Sequence, residues 1–197
     1  MTPGTVLCMS LTPSTMQELG TLMPAFSLPD TNEKTVSSNS FVEARGVLVV
    51  FICNHCPYVK LIRPELAGIG RKYSERGIAV VAINSNDAKK YPADCPAKMA
   101  EEARDAGYTF PYLYDETQEV ARAFRAACTP DFFLYDQSRK LVYRGQFDDA
   151  RPENGRPVTG GDLRAAMDSL LNAAPISPGQ KPSMGCNIKW KPGNELR

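Results

Sequence analysis

The stretch VLVVFICNHCPYV, residues 47–59, predicts the fold, because it joins a strand to a helix through two closely spaced cysteines. Residues 47–52 form a continuous β-branched, aliphatic and aromatic run, which is typical of a parallel strand buried on both faces. Apolar residues at steps of three and four continue to Tyr73 and predict an amphipathic helix. A second apolar run at residues 78–83 completes a strand–helix–strand unit, which implies parallel strands and a right-handed crossover.

The remaining periodic segments extend this unit into one α/β domain. Helices are predicted near residues 94–107 and 163–171, and between them a helix that carries Val120 and Phe124 after a capping pair at Asp115 and Gln118. Short strands are predicted at residues 111–114, 132–135 and 141–143, the last two forming an antiparallel hairpin. Upstream, residues 25–28 and 34–36 predict another hairpin. We therefore expect a domain at residues 19–174, an N-terminal lead-in at residues 1–18 without regular structure, and an irregular C-terminal arm at residues 175–197. Because the arm carries the single tryptophan, Trp190, we expect part of it to dock on the domain.

Composition excludes several classes of function. The 197 residues are 43% hydrophobic and 23% charged, which is typical of a globular protein rather than a disordered one. The formal charge of +1 argues against nucleic acid as a partner. No apolar run approaches the ~20 residues of a membrane helix. The first basic residue is Lys34, so the basic start of a secretory signal is missing and we expect a cytoplasmic protein.

The two cysteines of the CxxC motif, residues 53–56, are the candidate catalytic residues. A thiol in the first turn of a helix lies near unpaired N–H groups and the positive end of the helix dipole, which favour the thiolate. We expect Cys53 to be the more exposed sulfur and to attack a substrate disulfide, and Cys56 to resolve the mixed disulfide. Between them, Asn54 and His55 would tune the pair, His55 by adding positive charge or a hydrogen bond to Cys53. The motif alone does not give the direction of electron flow.

Two other interpretations of the CxxC motif are a fixed disulfide and a metal site. Zinc needs four ligands, and the motif with His55 supplies two or three. His55 is the only histidine, and there is no second CxxC motif. We therefore favour a redox pair with no metal and no organic cofactor, since the electrons reside on the two sulfurs. A metal-binding or copper-delivery module stays as a less favoured alternative.

Thr129 and Pro130 are the second candidate element of the site. They precede a predicted strand, in which an internal proline would be unfavourable. A cis peptide bond here would turn the chain toward the CxxC helix and leave the backbone of Thr129 free to pair with an extended substrate. Thr129 and Pro130 are therefore expected to line the substrate groove.

A strand ending in CxxC, a crossover helix and a later Thr-Pro before a hairpin and final helix together resemble the thioredoxin superfamily. Residues 24–36 and the phrases CNHCPYV (53–59), CTPD (128–131) and GCNIKW (185–190) resemble its AhpC/TSA, peroxiredoxin-like branch. The resemblance covers about residues 19–192. It implies a thioredoxin fold, with a mixed central sheet flanked by helices on both faces and an N-terminal β-hairpin. It also implies thiol–disulfide chemistry, a part in antioxidant defence or redox homeostasis, protein or small-molecule disulfide and thiol substrates, and a reducing partner protein.

Departures from known members limit what the resemblance implies. The buried acidic residue of thioredoxins would fall on Val47, so the usual proton acceptor for the second cysteine is missing. If Cys56 aligns with the peroxidatic cysteine of peroxiredoxins, Cys53 occupies their threonine position, Val49 their proline position and Pro130 their arginine position. Without those hydrogen-bond donors, a peroxide site lacks groups that polarise the departing oxygen. Thiol peroxidase activity is therefore the alternative to disulfide exchange.

Four further cysteines lie outside the motif. Cys128 is two residues before Pro130 and would lie near the CxxC motif, as an auxiliary thiol or as a small buried side chain. Cys186, on the C-terminal arm, is a candidate resolving or regulatory thiol, or a packed free thiol. Cys95 is expected at the surface near a helix start, and no role follows for Cys8.

Overall fold

A computed structural model describes residues 11–196; residues 1–10, with Cys8, and residue 197 lie outside the described part. In chain order the elements are β1 (Leu11–Pro13), β2 (Ser27–Pro29), β3 (Thr35–Ser37), β4 (Gly46–Phe51), α1 (Pro57–Ser74), β5 (Ile78–Asn84), α2 (Pro96–Ala106), β6 (Tyr112–Tyr114), α3 (Glu119–Phe124), β7 (Cys128–Thr129), β8 (Asp131–Asp136), β9 (Leu141–Tyr143), α4 (Gly161–Leu171) and β10 (Met184–Asn187). Among these residues no helix combines the length and apolar character needed to cross a bilayer.

The central sheet has the strand order β6-β5-β4-β8-β9. β4 pairs in parallel with β5, and β5 with β6, whereas β8 is antiparallel to both β4 and β9. The predicted strand–helix–strand unit and the predicted hairpin are therefore confirmed. β4 lies in the middle, where its uninterrupted apolar residues are covered on both sides.

The two faces of the sheet are covered by different elements, because successive side chains of a strand point to opposite faces. Leu48 and Val50 of β4 belong to a core formed with α1, α2 and α4. Val47 and Val49 belong to a second core, formed with α3 and the β2–β3 hairpin. The predicted mixed sheet with helices on both faces and an N-terminal hairpin is confirmed.

A second, three-stranded sheet joins the lead-in and the C-terminal arm, in the order β1-β10-β7. β10 lies between its partners and is antiparallel to both, with Cys186 opposite Leu11 on one side and opposite Thr129 on the other. The expectation that the lead-in and arm have no regular structure is wrong for β1 and β10. Neither the three-residue β1 nor the four-residue β10 has a strong sequence pattern, and each strand forms because it pairs with a partner that is distant in the sequence.

The C-terminal arm docks on the domain beyond β10 as well. Ile188 is fully buried and Trp190 is half-buried against the same core as α3, so the predicted docking of Trp190 is confirmed. The buried side chain of Gln118 holds this segment, because its amide donates to the Lys189 carbonyl (3.0 Å) and its carbonyl accepts from the Lys191 N–H (2.7 Å).

Candidate active site

The CxxC motif lies where β4 ends and α1 begins, at the carboxyl edge of the parallel strands, where α/β folds place their sites. Cys56 is the residue directly before α1, and its extended backbone and the following Pro57 set the start of the helix. Both sulfurs are enclosed, since Cys53 is 1% and Cys56 0% exposed. The expectation of an exposed Cys53 is therefore wrong, since both cysteines are buried, and Cys186 of the C-terminal arm lies against Cys56.

Thr129 contacts both sulfurs of the motif. Its hydroxyl lies 3.3 Å from the Cys53 Sγ, and its carbonyl oxygen lies 3.1 Å from the Cys56 Sγ, to which a protonated Cys56 can donate. The peptide bond between Thr129 and Pro130 is cis. The fold therefore brings together the CxxC and Thr-Pro segments that the sequence singled out.

The backbone of Thr129 is already paired. Cys186 of β10 lies opposite it in an antiparallel register, and Asn187 lies opposite Cys128. The expectation that this edge is free for an extended substrate is wrong for the structure described. The C-terminal arm of the same chain occupies this edge.

Cys186 enters the site with this strand. Its Sγ lies 2.9 Å from the Cys56 Sγ, and its side chain is 2% exposed. All five cysteines of the described residues are free thiols. Three thiols, those of Cys53, Cys56 and Cys186, therefore share one enclosed site.

Hydrogen bonding among the three thiols separates their acidities. Donation from the thiols of Cys186 and Cys53, and from the Val59 N–H in the first turn of α1, lowers the pKa of Cys56 against the opposing effect of burial. The pKa of Cys53 is raised by its hydrogen bond to Cys56 and by burial, and that of Cys186 is raised for the same two reasons. In this closed arrangement the negative charge is stabilised on Cys56, and not on Cys53 as the sequence suggested.

Asp94 is a site residue that sequence reasoning missed. Its buried carboxylate accepts hydrogen bonds from the Asn54 N–H (2.8 Å), from the His55 Nδ1–H (2.6 Å) and from the Asn86 amide (2.8 Å). The sequence suggested Asp94 as the start of a helix, but α2 begins after Cys95. The available signal was its place in the loop after β5, which opens at the same sheet edge as the CxxC motif.

The side chains between the two motif cysteines are held by this carboxylate and its neighbours. His55 stacks on Tyr91, with 5.4 Å between ring centroids and 9° between planes, and its Nε2 has no hydrogen-bond partner among residues 11–196. The His55 Nδ1 is hydrogen-bonded to Asp94, so the expected hydrogen bond from His55 to Cys53 is not formed through this atom. The Asn54 side chain donates to the Ala93 carbonyl and accepts from the Tyr112 hydroxyl (3.0 Å). Asn54 and His55 therefore orient the loop around the sulfurs.

Three potential metal ligands come together in the same place. The donor atoms of Cys53, His55 and Asp94 all lie within 4.8 Å of one another. His55 and Asp94 are hydrogen-bonded to each other, so a metal ion that used both would replace that bond.

The other two described cysteines lie outside the three-thiol contact. The Cys128 Sγ is buried and lies 3.6 Å from the Pro130 carbonyl oxygen, and its pKa is raised well above the usual value, first by burial. This fits a small packed side chain. Cys95 is half-buried at the start of α2.

Comparison with known proteins identifies the family. A sequence model described as "AhpC/TSA family" matches residues 19–144. The chain belongs to the AhpC/TSA family. A search of curated proteins found no match.

Two solved structures are similar to this AhpC/TSA-family chain over nearly its whole length. A hypothetical protein from Sinorhizobium meliloti 1021 is 51% identical, with a TM-score of 0.91 over 92% of this chain and 100% of that one. An uncharacterized conserved protein from Geobacillus kaustophilus is 50% identical, with a TM-score of 0.92 over 95% of this chain and 100% of that one. A Chlorobium tepidum structure, titled as a thiol:disulfide interchange protein DsbE, is 21% identical with a TM-score of 0.62, over 78% and 98% of the two chains. At that identity the likeness shows the thioredoxin-like fold alone.

Proposed function

We propose that this AhpC/TSA-family protein is a thiol–disulfide oxidoreductase whose redox pair is Cys53 and Cys56. The observation that carries the proposal is the contact of both sulfurs with Thr129, beside Pro130 and at the start of α1. In the reaction, a substrate disulfide takes two electrons from the pair. Two substrate thiols leave with the two protons, and a Cys53–Cys56 bond forms.

The roles of the two cysteines follow from the state of the C-terminal arm. With β10 in place, the hydrogen bond from Cys186 is the largest cause of the lowered pKa of Cys56. When β10 leaves Thr129, that hydrogen bond is lost and the Thr129 edge opens to a substrate. Cys53, next to the Thr129 hydroxyl, then attacks the substrate and Cys56 resolves the mixed disulfide. Asn54 and His55 position the loop through Asp94, and Thr129 and Pro130 line the groove.

Turnover of a disulfide substrate tests this function. A catalytic amount of the protein is mixed with a disulfide-bonded peptide and excess reduced glutathione, which returns the pair to thiols, and the release of peptide thiol is followed. We expect Cys53→Ser and Cys56→Ser each to abolish catalytic release. Cys95→Ser, outside the three-thiol contact, serves as the matched control and should retain the rate. Unchanged turnover in Cys53→Ser would refute the role of the pair.

A second candidate function is reduction of a hydroperoxide by Cys56. Its support is the family match together with the lowered pKa of Cys56, because a thiolate is the nucleophile toward peroxide. In that reaction the Cys56 sulfur takes one peroxide oxygen to become a sulfenic acid, and Cys53 or Cys186 condenses with it to release water. Consumption of peroxide at the rate of an ordinary free thiol would end this alternative.

The proposal requires neither a metal nor an organic cofactor, and it requires a reducing partner protein to return the pair to thiols. We propose the cytoplasm as the compartment, since cysteines outside a catalytic pair stay reduced there. The metal-binding alternative rests on Cys53, His55 and Asp94. Stoichiometric metal in protein purified without chelators, lost in His55→Ala, would support it over redox exchange.

A further inference from the structure

We propose that Cys186 is a third redox-active cysteine, and that β10 is an internal substrate strand that takes over the disulfide from the Cys53–Cys56 pair. The inference rests on the proposed function, and it adds a second disulfide, Cys56–Cys186. It gives the C-terminal arm a chemical role in addition to its packing.

The first support is the way in which β10 lies at the site. Peptides commonly bind by adding a strand to an exposed sheet edge, with backbone hydrogen bonds holding the peptide and alternate side chains reaching into the site. β10 does this at the edge of β7, where Cys186 lies opposite Thr129. Its side chain thereby reaches the motif, as the cysteine of a bound substrate would.

The second support is the distance between the sulfurs. The Sγ atoms of Cys56 and Cys186 are 2.9 Å apart, and a disulfide bond of ~2.05 Å needs an approach of only about 1 Å more. Both side chains are enclosed in the protein, so they meet each other more readily than they meet a dissolved thiol. Cys128, by contrast, has its sulfur near the Pro130 carbonyl.

The step is an internal thiol–disulfide exchange. The Cys186 thiol loses its proton and its sulfur attacks the Cys56 Sγ of the Cys53–Cys56 disulfide. The Cys56–Cys186 bond forms, the Cys53–Cys56 bond breaks, and Cys53 leaves as a thiolate that takes up the proton. The protein as a whole gains and loses no electrons, so the step needs no further oxidant.

Oxidation of the Cys53–Cys56 pair brings down the pKa of Cys186, while burial continues to raise it. The largest cause that raises its pKa is the hydrogen bond to Cys56, which disappears when Cys56 carries no negative charge. The positive charge of Lys189 lowers the pKa of Cys186. The Lys189 ammonium is held nearby by its hydrogen bond to the Asn187 side chain (2.7 Å).

Disulfide mapping of the full-length protein tests the inference. The reduced protein is oxidised with glutathione disulfide, free thiols are blocked with iodoacetamide, and the chain is digested with trypsin without reduction. Cys53 and Cys56 lie together in the tryptic peptide 46–60, whereas Cys186 lies in peptide 165–189. A Cys53–Cys56 disulfide therefore leaves peptide 46–60 alone and two hydrogens lighter, and a Cys56–Cys186 disulfide joins the two peptides.

We expect the joined peptides, with the iodoacetamide label on Cys53. If only the internal disulfide of peptide 46–60 forms and Cys186 is fully labelled, the inference is overturned while the proposed function stands. If neither disulfide forms and substrate is not turned over, both fail. The two failures are therefore distinguishable.

Variants separate the chemistry from an effect on folding. Cys186→Ser should yield no joined peptides, and its disulfide should form within peptide 46–60. Cys95→Ser should give the same peptides as the unmodified protein. Cys53→Ser lacks the thiol that attacks the substrate, so glutathione disulfide should join the two peptides far more slowly in it than in the unmodified protein. Cys56→Ser should not yield them, and joined peptides in Cys56→Ser would overturn the assignment.

Discussion

Gly185 lies so close to the carbonyl group of Thr129 that a side chain on Gly185 would overlap the carbonyl oxygen. The close approach lets β10 lie against β7 and brings the next residue, Cys186, to the CxxC motif. The absence of a side chain at Gly185 is therefore a condition for closing the site.

Gly185→Ala should displace β10 from β7. Because the backbone of Thr129 has little room to retreat, we expect iodoacetamide to label Cys53 and Cys56 at least several-fold faster than in the unmodified protein. Labelling is followed in peptide 46–60 by mass spectrometry. The side chain of Trp190, the only tryptophan, should become more accessible, so an ionic quencher should reduce its fluorescence more strongly.

Gly179→Ala is the matched control, since Gly179 lies in the same arm and an added Cβ meets only the Ser177 hydroxyl, at 3.7 Å. It should label at the original rate. Equal labelling of both variants would show that Gly185 does not hold the arm closed.

Asp94→Asn should lower the pKa of Cys53. The hydrogen bond from Cys53 to Cys56 and burial are the larger causes of its raised pKa, and the negative charge of Asp94 adds to them. In a Cys56→Ser background, where Cys53 is the remaining sulfur of the motif, the pH profile of Cys53 labelling should move to lower pH. Asp105→Asn, at an exposed carboxylate, should leave the profile in place. A shift to higher pH in Asp94→Asn would contradict the electrostatic role.

Asp131→Asn should reduce the loss of stability that occurs as the pH rises from 5 to 8. Burial raises the pKa of Asp131 from 3.8 to about 7, and its Oδ1 has no hydrogen-bond partner among the described residues. The folded chain therefore binds more protons than the unfolded chain between these values, so stability falls as pH rises through this window. Between pH 5 and pH 8 this group alone removes roughly 2–3 kcal/mol.

Urea unfolding at pH 5 and pH 8 measures this effect. The decrease in the free energy of unfolding between the two pH values should be smaller by that amount in Asp131→Asn. Glu153→Gln, at an exposed carboxylate, should retain the original decrease. An unchanged decrease in Asp131→Asn would show that Asp131 is ionised throughout the range.

Phe124→Ala should destabilise the chain by about 3–5 kcal/mol, since a large side chain is removed from a close-packed core. The Phe124 ring is fully buried and lies edge-on to the rings of Phe51 (5.5 Å) and Phe133 (5.7 Å). Chemical denaturation gives the free energy of unfolding. Arg122→Ala, exposed on the same helix, should change it by less than about 1 kcal/mol. A small change in Phe124→Ala would mean that α3 contributes little to this core.

The sequence predicted the central sheet because its signals are local. The apolar runs before Cys53 and after Gly77, and the helical periodicity between them, are visible within a few dozen residues. β10 could not be predicted in this way. Its sequence, MGCN, contains a glycine and an asparagine and lacks the alternation of apolar and polar residues that is typical of a strand. Its strand conformation depends on β7, which lies far back along the chain.

The same distinction between local and long-range signals applies to the site. Cys53, Cys56, Thr129 and Pro130 were found because a CxxC motif and a Thr-Pro pair are recognisable in isolation. Asp94 was missed, because an aspartate two residues before a proline equally well starts a helix. The enclosure of the sulfurs was missed as well, since it comes from a strand of the arm.

The position of β10 late in the chain has a consequence during biosynthesis. Translation runs at ~5–20 residues per second, so the CxxC motif and Thr129 are synthesised several seconds before Cys186. In that interval the nascent chain presents two uncovered thiols to glutathione disulfide, which forms a mixed disulfide with a thiol and releases one glutathione. A newly made molecule is therefore more open to glutathionylation than a finished one.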